Sequence, residues 1–322
     1  MNAGSKLRLL KTENRLDGCS MDSQKIFYAF FDRLSVMQPL TNGVHYSILL
    51  YIMKKTAEFN SNRELKMKLI SNLFYNESYG ESGLGDLYLP DQVSEKTPLA
   101  LAIHGGGWCE LDKYSFSGVA DFLCKLGFAV YNIHYRLTKE KPWPACGDDC
   151  LEAARFFLSA DRPEFAGLKR KKLFVIGGSA GGHLALMTGL RLPPDQVSGI
   201  VSISGIAKFE TYMDMKPVRY RIFFGMPEPS QDKIDAASPM SYINRNNPPI
   251  LLTHAIYDTV VPIESATAFE DAARDHGGRI ESYYYNRKND GHCVWIKGSD
   301  PHKLHPDIEE RIKQFAASLK LI

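Results

Sequence analysis

From about residue 69 onward the chain reads as short apolar runs separated by amphipathic stretches. The runs fall at residues 99–103, 128–133, 173–176, 200–203, 250–256 and 280–285. Each is apolar with little alternation, as a strand must be when both of its faces are covered. Between them, residues 116–126, 148–159 and 182–190 have helical spacing. Residues 307–319 close the chain with Ile308, Ile312, Phe315 and Leu319 on one face. The pattern predicts a mostly parallel central sheet with helices on both faces, an α/β fold. Residues 69–75 and 84–89 precede it and read as two edge strands.

The stretch before the sheet has a different period. Ile26, Phe27, Phe30, Leu34 and Met37 recur at steps of three and four, with Asp22 or Ser23 placed to cap the helix they predict. After Pro39 and Gly43 a second helix is expected over residues 45–58, with Ile48, Leu49, Ile52 and Met53 on one face. Residues 1–70 are therefore expected to form an N-terminal helical extension or lid, and residues 71–322 the main domain. Residues 206–247 break the strand-helix alternation and are expected to form a small cap insertion. Their Phe209, Tyr212, Met213, Tyr220, Phe223, Phe224 and Met226 either roof a pocket or pack the cap itself. Arg219 and Arg221, in the same stretch, could meet a charged substrate, with solvated surface charge the plainer reading.

Composition acts mainly by exclusion. With 322 residues, 44% hydrophobic and 24% charged, the chain suffices for one large domain with a small cap. A net charge of +2 without a basic stripe argues against a nucleic-acid partner. The first 72 residues lean basic, which reads as solvated helix faces. Cys19, Cys109, Cys124, Cys146, Cys150 and Cys293 are scattered, with no CxxC pair. Cys146 and Cys150 share a predicted helix face but lack two further ligands, so no metal is expected. Reduced thiols in a cytoplasmic protein are the expectation. No apolar stretch reaches the ~18 residues of a membrane span, and charges interrupt the first 20 residues where a signal sequence would lie. The amphipathic N-terminal helices leave a homodimer open.

The most informative segment runs from Leu173 to His183. It reads as a strand, then Gly177-Gly178-Ser179-Ala180-Gly181, then a helix. A nucleophilic serine must stand clear of the sheet on a sharp turn, and the turn crowds the positions two before and two after it. Glycine satisfies both positions, and the helix that follows aims its N-terminus at the serine. A phosphate-binding turn is the competing interpretation, but neither Gly-x-Gly-x-x-Gly spacing nor a following lysine is present. Upstream, His104-Gly105-Gly106-Gly107-Trp108 follows the strand at 99–103. Three glycines let backbone N–H groups turn toward an anionic oxygen.

These two segments, with Tyr135-Arg136-Leu137 and Pro142-Trp143-Pro144-Ala145 between them, resemble the hormone-sensitive-lipase-like group of α/β-hydrolases. They are more narrowly similar to acetylesterases and feruloyl-esterase-like carbohydrate esterases. The resemblance covers residue 86 to the C-terminus. It implies the α/β-hydrolase fold and an oxyanion hole formed by the N–H groups of Gly106, Gly107 and Ala180. Lipase-like members carry Asp before the serine where this chain has Gly178, which favours the carbohydrate-esterase side. The helical segment at residues 22–70 has no counterpart in those small esterases.

A serine hydroxyl needs a base, and the base needs a carboxylate to hold its tautomer. In this fold the order is serine, acid, histidine. The run at 250–256 leads into Asp258, in a D-x-x-V-P pattern similar to the family's, with Glu264 as the substitute. A helix cap is the alternative role for Asp258. After the run at 280–285 comes Gly291-His292, the candidate base. Of the other histidines, His104 belongs to the glycine loop and His183 to the elbow helix. His45 lies in the extension, His134 and His254 beside core strands, and His276, His302 and His305 in expected exposed turns. The expectation is a serine esterase on a small-molecule ester, plausibly a short acyl or acetyl ester of a sugar or small alcohol, acting through an acyl-enzyme. Neither metal nor organic cofactor is implied. An amidase such as kynurenine formamidase is the alternative on the same fold, and a non-catalytic ligand receptor the remote one.

Overall fold

In the expected core strands every side chain must find an apolar partner above or below the sheet, and the computed structural model supplies both. It describes residues 67–211, 217–287 and 291–322, so the helices expected within residues 22–58 lie outside the described residues. The strands are β1 (Lys68–Phe74), β2 (Leu84–Leu89), β3 (Leu99–Ile103), β4 (Ala129–Ile133), β5 (Leu173–Gly178), β6 (Val197–Ile203), β7 (Ile250–Ala255) and β8 (Ile280–Tyr285). They form one sheet in the order β1-β2-β4-β3-β5-β6-β7-β8. β2 pairs antiparallel with β1 and β4, and the remaining pairings are parallel.

Register explains the unbroken apolar runs. Leu101 of β3 lies between Tyr131 of β4 and Val175 of β5. Leu99, Leu101, Ile103 and Val175 enter the core on one face, and Ala100, Ala102, Phe174 and Ile176 the core on the other. Helices α1 (Ser117–Lys125), α2 (Ala145–Ser159), α3 (Ala180–Arg191), α6 (Ile263–Asp275) and α7 (Pro306–Ser318) cover these faces. α3 is buried along nearly its whole length, from Ala180 to Leu190. It packs mainly on β5 and β6, at the centre of the sheet.

Two expectations need adjustment. β2 is not an edge strand. β1 pairs beyond it on the same side, so Leu87, Tyr88 and Leu89 of β2 are buried. The insertion between β6 and β7 does carry helices, α4 (Pro217–Phe224) and α5 (Gln231–Ala237), but its aromatic residues pack inward. Phe209, Phe223 and Phe224 are at most 3% exposed. The Phe223 ring packs, tilted, 4.6 Å from Trp108 and 4.9 Å from Phe209, measured between ring centroids. The aromatic cluster is the insertion's own core, fastened to the glycine loop. Tyr212 and Met213 lie outside the described residues.

Candidate active site

β5 ends at Gly178 and α3 begins at Ala180, so Ser179 alone makes the turn, with φ 55° and ψ −121°. A left-handed φ is costly for a residue with a side chain, and the surrounding contacts must hold it. The Ser179 N–H donates to the Ile203 carbonyl at 2.8 Å, and its own carbonyl accepts from the His183 N–H at 3.0 Å. The flanking glycines are required by space. A Cβ at Gly177 would overlap the Gly181 carbonyl, and one at Gly181 would overlap the carbonyls of Ile103 and His104.

The structure brings Ser179, His292 and Asp258 into one hydrogen-bonded line. Ser179 Oγ lies 2.7 Å from His292 Nε2, and His292 Nδ1 lies 2.7 Å from Asp258 Oδ2. Each comes from a different place in the fold: the elbow after β5, the loop after β7 and the loop before α7. The Asp258 side chain is fully buried. Its Oδ1 accepts the N–H groups of Val260 and Val261 at 2.8 and 2.9 Å, which leaves Oδ2 for the imidazole. α6 starts at Pro262 and Ile263, so Asp258 shapes the preceding turn rather than capping that helix. Glu264 lies in the first turn of α6, and the acid position is taken by Asp258.

Burial works against a charge on His292, but the adjacent Cys293 and the Asp258 carboxylate outweigh it and raise the imidazole pKa above its ordinary value. Cys293 has a left-handed φ of 46°, and its Sγ sits 3.2 Å from the same Nε2 that Ser179 engages. His254 lies behind Asp258, with Nε2 donating to the Val261 carbonyl at 2.9 Å. Burial lowers the pKa of His254, which keeps it a neutral donor.

The glycine loop lies opposite the serine. Gly106 has φ 100°, and its carbonyl accepts the N–H groups of Cys109 and Glu110 at 3.1 and 3.0 Å, folding the loop back. Among the described residues no backbone carbonyl takes the N–H of Gly106, Gly107 or Ala180. Tyr135 fixes the loop from below, stacking on His104 at 4.3 Å and donating its hydroxyl to the His104 carbonyl at 3.1 Å. On the far side Trp108 Nε1 donates to His183 Nδ1 at 3.1 Å, and His183 Nε2 donates to the Ala237 carbonyl at 2.7 Å. Burial pushes the His183 pKa down to about 4, so it stays neutral and can accept at one nitrogen while donating at the other. One histidine thus ties the loop, the elbow helix and the insertion together.

The line of three opens into a cleft of about 390 Å³. Val260, Val261, Ile206 and Trp295 give it apolar walls, and Cys293 lies beside His292. His302 is not in an exposed turn: it stacks on Trp295 at 4.7 Å and faces the cleft. Arg219 is solvated, but it lines the mouth rather than a remote surface. Of the insertion, Ile206 and Arg219 reach this cleft. Cys293, Trp295 and Arg219 carry no motif. The signal for Cys293 was its place next to His292, and the others depend on where distant loops travel. Among the described residues no group of three or more His, Cys, Asp or Glu side chains could hold a metal ion.

A serine hydroxyl on an imidazole that is held by a buried carboxylate, beside a glycine loop, is the arrangement that an activated nucleophile requires. The strand order, the elbow and this constellation define an α/β-hydrolase. Residues 85–272 match the BD-FAE family, more than half of the chain, and the protein belongs to that family. It is 28% identical over 223 residues to the probable carboxylic ester hydrolase LipM of Mycobacterium tuberculosis, covering 61% of this chain and 51% of that protein. It is 34% identical over 125 residues to the versiconal hemiacetal acetate esterase stcI of Emericella nidulans, covering 37% and 41%. The chain therefore spans about half the length, or less, of these curated relatives. A truncated carbohydrate esterase from gut microbiota superposes with a TM-score of 0.68 at 19% identity, covering 80% of this chain and 98% of that one. Esterase B from Lactobacillus Rhamnosis superposes with a TM-score of 0.67 at 17% identity, covering 86% of this chain and 93% of that one. At such identities the superpositions establish the fold. No helix among the described residues is long and apolar enough to cross a membrane.

Proposed function

We propose that the protein is a carboxylic ester hydrolase that cleaves short acyl esters through an acyl-enzyme on Ser179. The observation that carries this reading is the 2.7 Å and 2.7 Å line from Ser179 through His292 to Asp258, reaching a cleft that Gly106 and Gly107 of the glycine loop also line. Ser179 Oγ attacks the ester carbonyl while His292 Nε2 takes its proton. Asp258 holds the Nδ1–H tautomer and stabilises the imidazolium. The carbonyl oxygen, now anionic, sits among the N–H groups of Gly106, Gly107 and Ala180. His292 then returns the proton to the departing alkoxide, leaving the acyl group on Ser179. A water molecule, deprotonated by His292, attacks the acyl-enzyme. The carboxylic acid leaves and the proton returns to Ser179.

Esterase names predominate among the relatives, which supports ester bonds over amides, and an acetate esterase and a carbohydrate esterase among them support a small acyl group. A cleft of about 390 Å³ lies at the lower end of ligand pockets, which suits a short acyl chain better than a long one. Residues 71–322 are read as the catalytic domain, with 206–247 as its cap and 1–70 as an extension. Among the described residues, five buried cysteines with free thiols support a reducing, cytoplasmic setting.

Hydrolysis of 4-nitrophenyl acetate, butyrate and octanoate, set beside an aryl formamide, tests the reading. The expected order is acetate or butyrate well above octanoate, with the formamide slowest. A formamide cleaved faster than every ester would transfer the assignment to an amidase.

A further inference from the structure

Arg219 lines the cleft but has no part in ester cleavage itself. It lies on α4 and reaches the mouth of the cleft. Its guanidinium lies so close to the glycine loop that a Cβ added to Gly107 would overlap Arg219 Nη1. No carboxylate among the described residues forms an ion pair with it. Glu110 is the one carboxylate among the described residues lining the same cleft. The Cys109 thiol, which burial raises, feels Arg219 and Lys139 as cations and Glu110 as an anion. Arg219 is the one Arg or Lys side chain among the described residues that line the cleft. A guanidinium is a planar fork that matches carboxylate or phosphate oxygens and is not needed for a neutral acetate.

Resting on the hydrolase reading, we propose that Arg219 is a specificity-determining residue and that the preferred substrates are esters bearing an anionic group, a carboxylate or a phosphate, near the scissile bond. The walls of Val260, Val261 and Trp295 hold the uncharged part, and Arg219 takes the anion beside the glycine loop. The short distance between Arg219 and Gly107 confines the charge to within a few bonds of the ester carbonyl.

The test compares kcat/KM for neutral and anionic esters of matched size. Methyl butyrate and monomethyl succinate place the charge on the acyl side. Phenyl acetate and 4-acetoxybenzoate place it on the alcohol side. In at least one pair the wild type favours the anion, and Arg219→Gln lowers that preference by about tenfold to a hundredfold. The loss falls mainly in KM, and Arg219→Lys restores part of it. A preference that Arg219→Gln leaves unchanged overturns the proposal. So does an equal loss on neutral and anionic esters, which would make Arg219 a support for the oxyanion loop. If the wild type turns over none of the four esters, the hydrolase reading fails separately. Calorimetric titration of monomethyl succinate and 4-acetoxybenzoate into Ser179→Ala and Ser179→Ala/Arg219→Gln then decides the binding question. Binding lost with the arginine supports the anion site, and equal binding or none overturns it.

Discussion

His292 answers to three neighbours at once. Its Nδ1 is held by Asp258, while its Nε2 faces both Ser179 Oγ and Cys293 Sγ. A general base must be neutral to accept a proton, so activity falls as pH drops through its pKa. Burial alone would lower that pKa, yet Cys293 and Asp258 raise it on balance. The acid limb of kcat/KM should therefore lie above the ordinary imidazole value of 6.5. Asp258→Asn removes one raising influence. It should shift the limb toward lower pH, and it should cut turnover by about ten-thousand-fold because the tautomer is no longer held. Cys293→Ala should shift the limb in the same direction. A pH–rate series on the three proteins checks this, and a limb that stays in place in both variants would refute the account of the base.

What could be read at this scale depended on locality. Ser179 and its glycines stand out because one sharp turn dictates five adjacent residues. Asp258 and His292 follow from chain order and from the strands that precede them. Arg219, Trp295 and His302 reach the cleft through the tertiary path of their loops. For that reason His302 looked solvent-exposed and Arg219 read more plainly as solvated charge. The basicity of His292 likewise depends on a thiol whose approach requires an unusual φ.

At the level of elements, the elbow is a packing problem before it is a catalytic one. β5 and α3 meet with no spacer beyond Ser179, so the backbone at Gly181 presses on the carbonyls that end β3. The obstruction there is main chain, which cannot move aside as a flexible side chain would. Gly181→Ala should cost about 1–3 kcal/mol in urea or thermal unfolding. Any folded fraction should also be slow, because the loop with His104 is displaced together with the oxyanion donors. Unchanged stability and activity would mean that the close approach is not the constraint. The strands themselves were legible to within a few residues, since burial on both faces imposes a continuous apolar run. The insertion was not, because its aromatic residues suit a pocket wall and a self-packed core equally well. Only the contacts of Phe209 and Phe223 with Trp108 separate the two.

Across the molecule, the sheet order collects contributions from distant parts of the chain at one end of the parallel strands. The glycine loop follows β3, the turn at Ser179 follows β5, Asp258 follows β7 and His292 follows β8. This arrangement places chemistry at the carboxyl ends of parallel strands, where open α/β sheets bind their ligands. The two apolar cores on either face of the sheet hold those ends in register. The most direct test of the whole account is steady-state hydrolysis of 4-nitrophenyl acetate by the wild type and by Ser179→Ala. The account predicts measurable wild-type turnover that falls by about ten-thousand-fold or more in the variant while its unfolding midpoint is retained. Turnover by Ser179→Ala at the wild-type rate would contradict it.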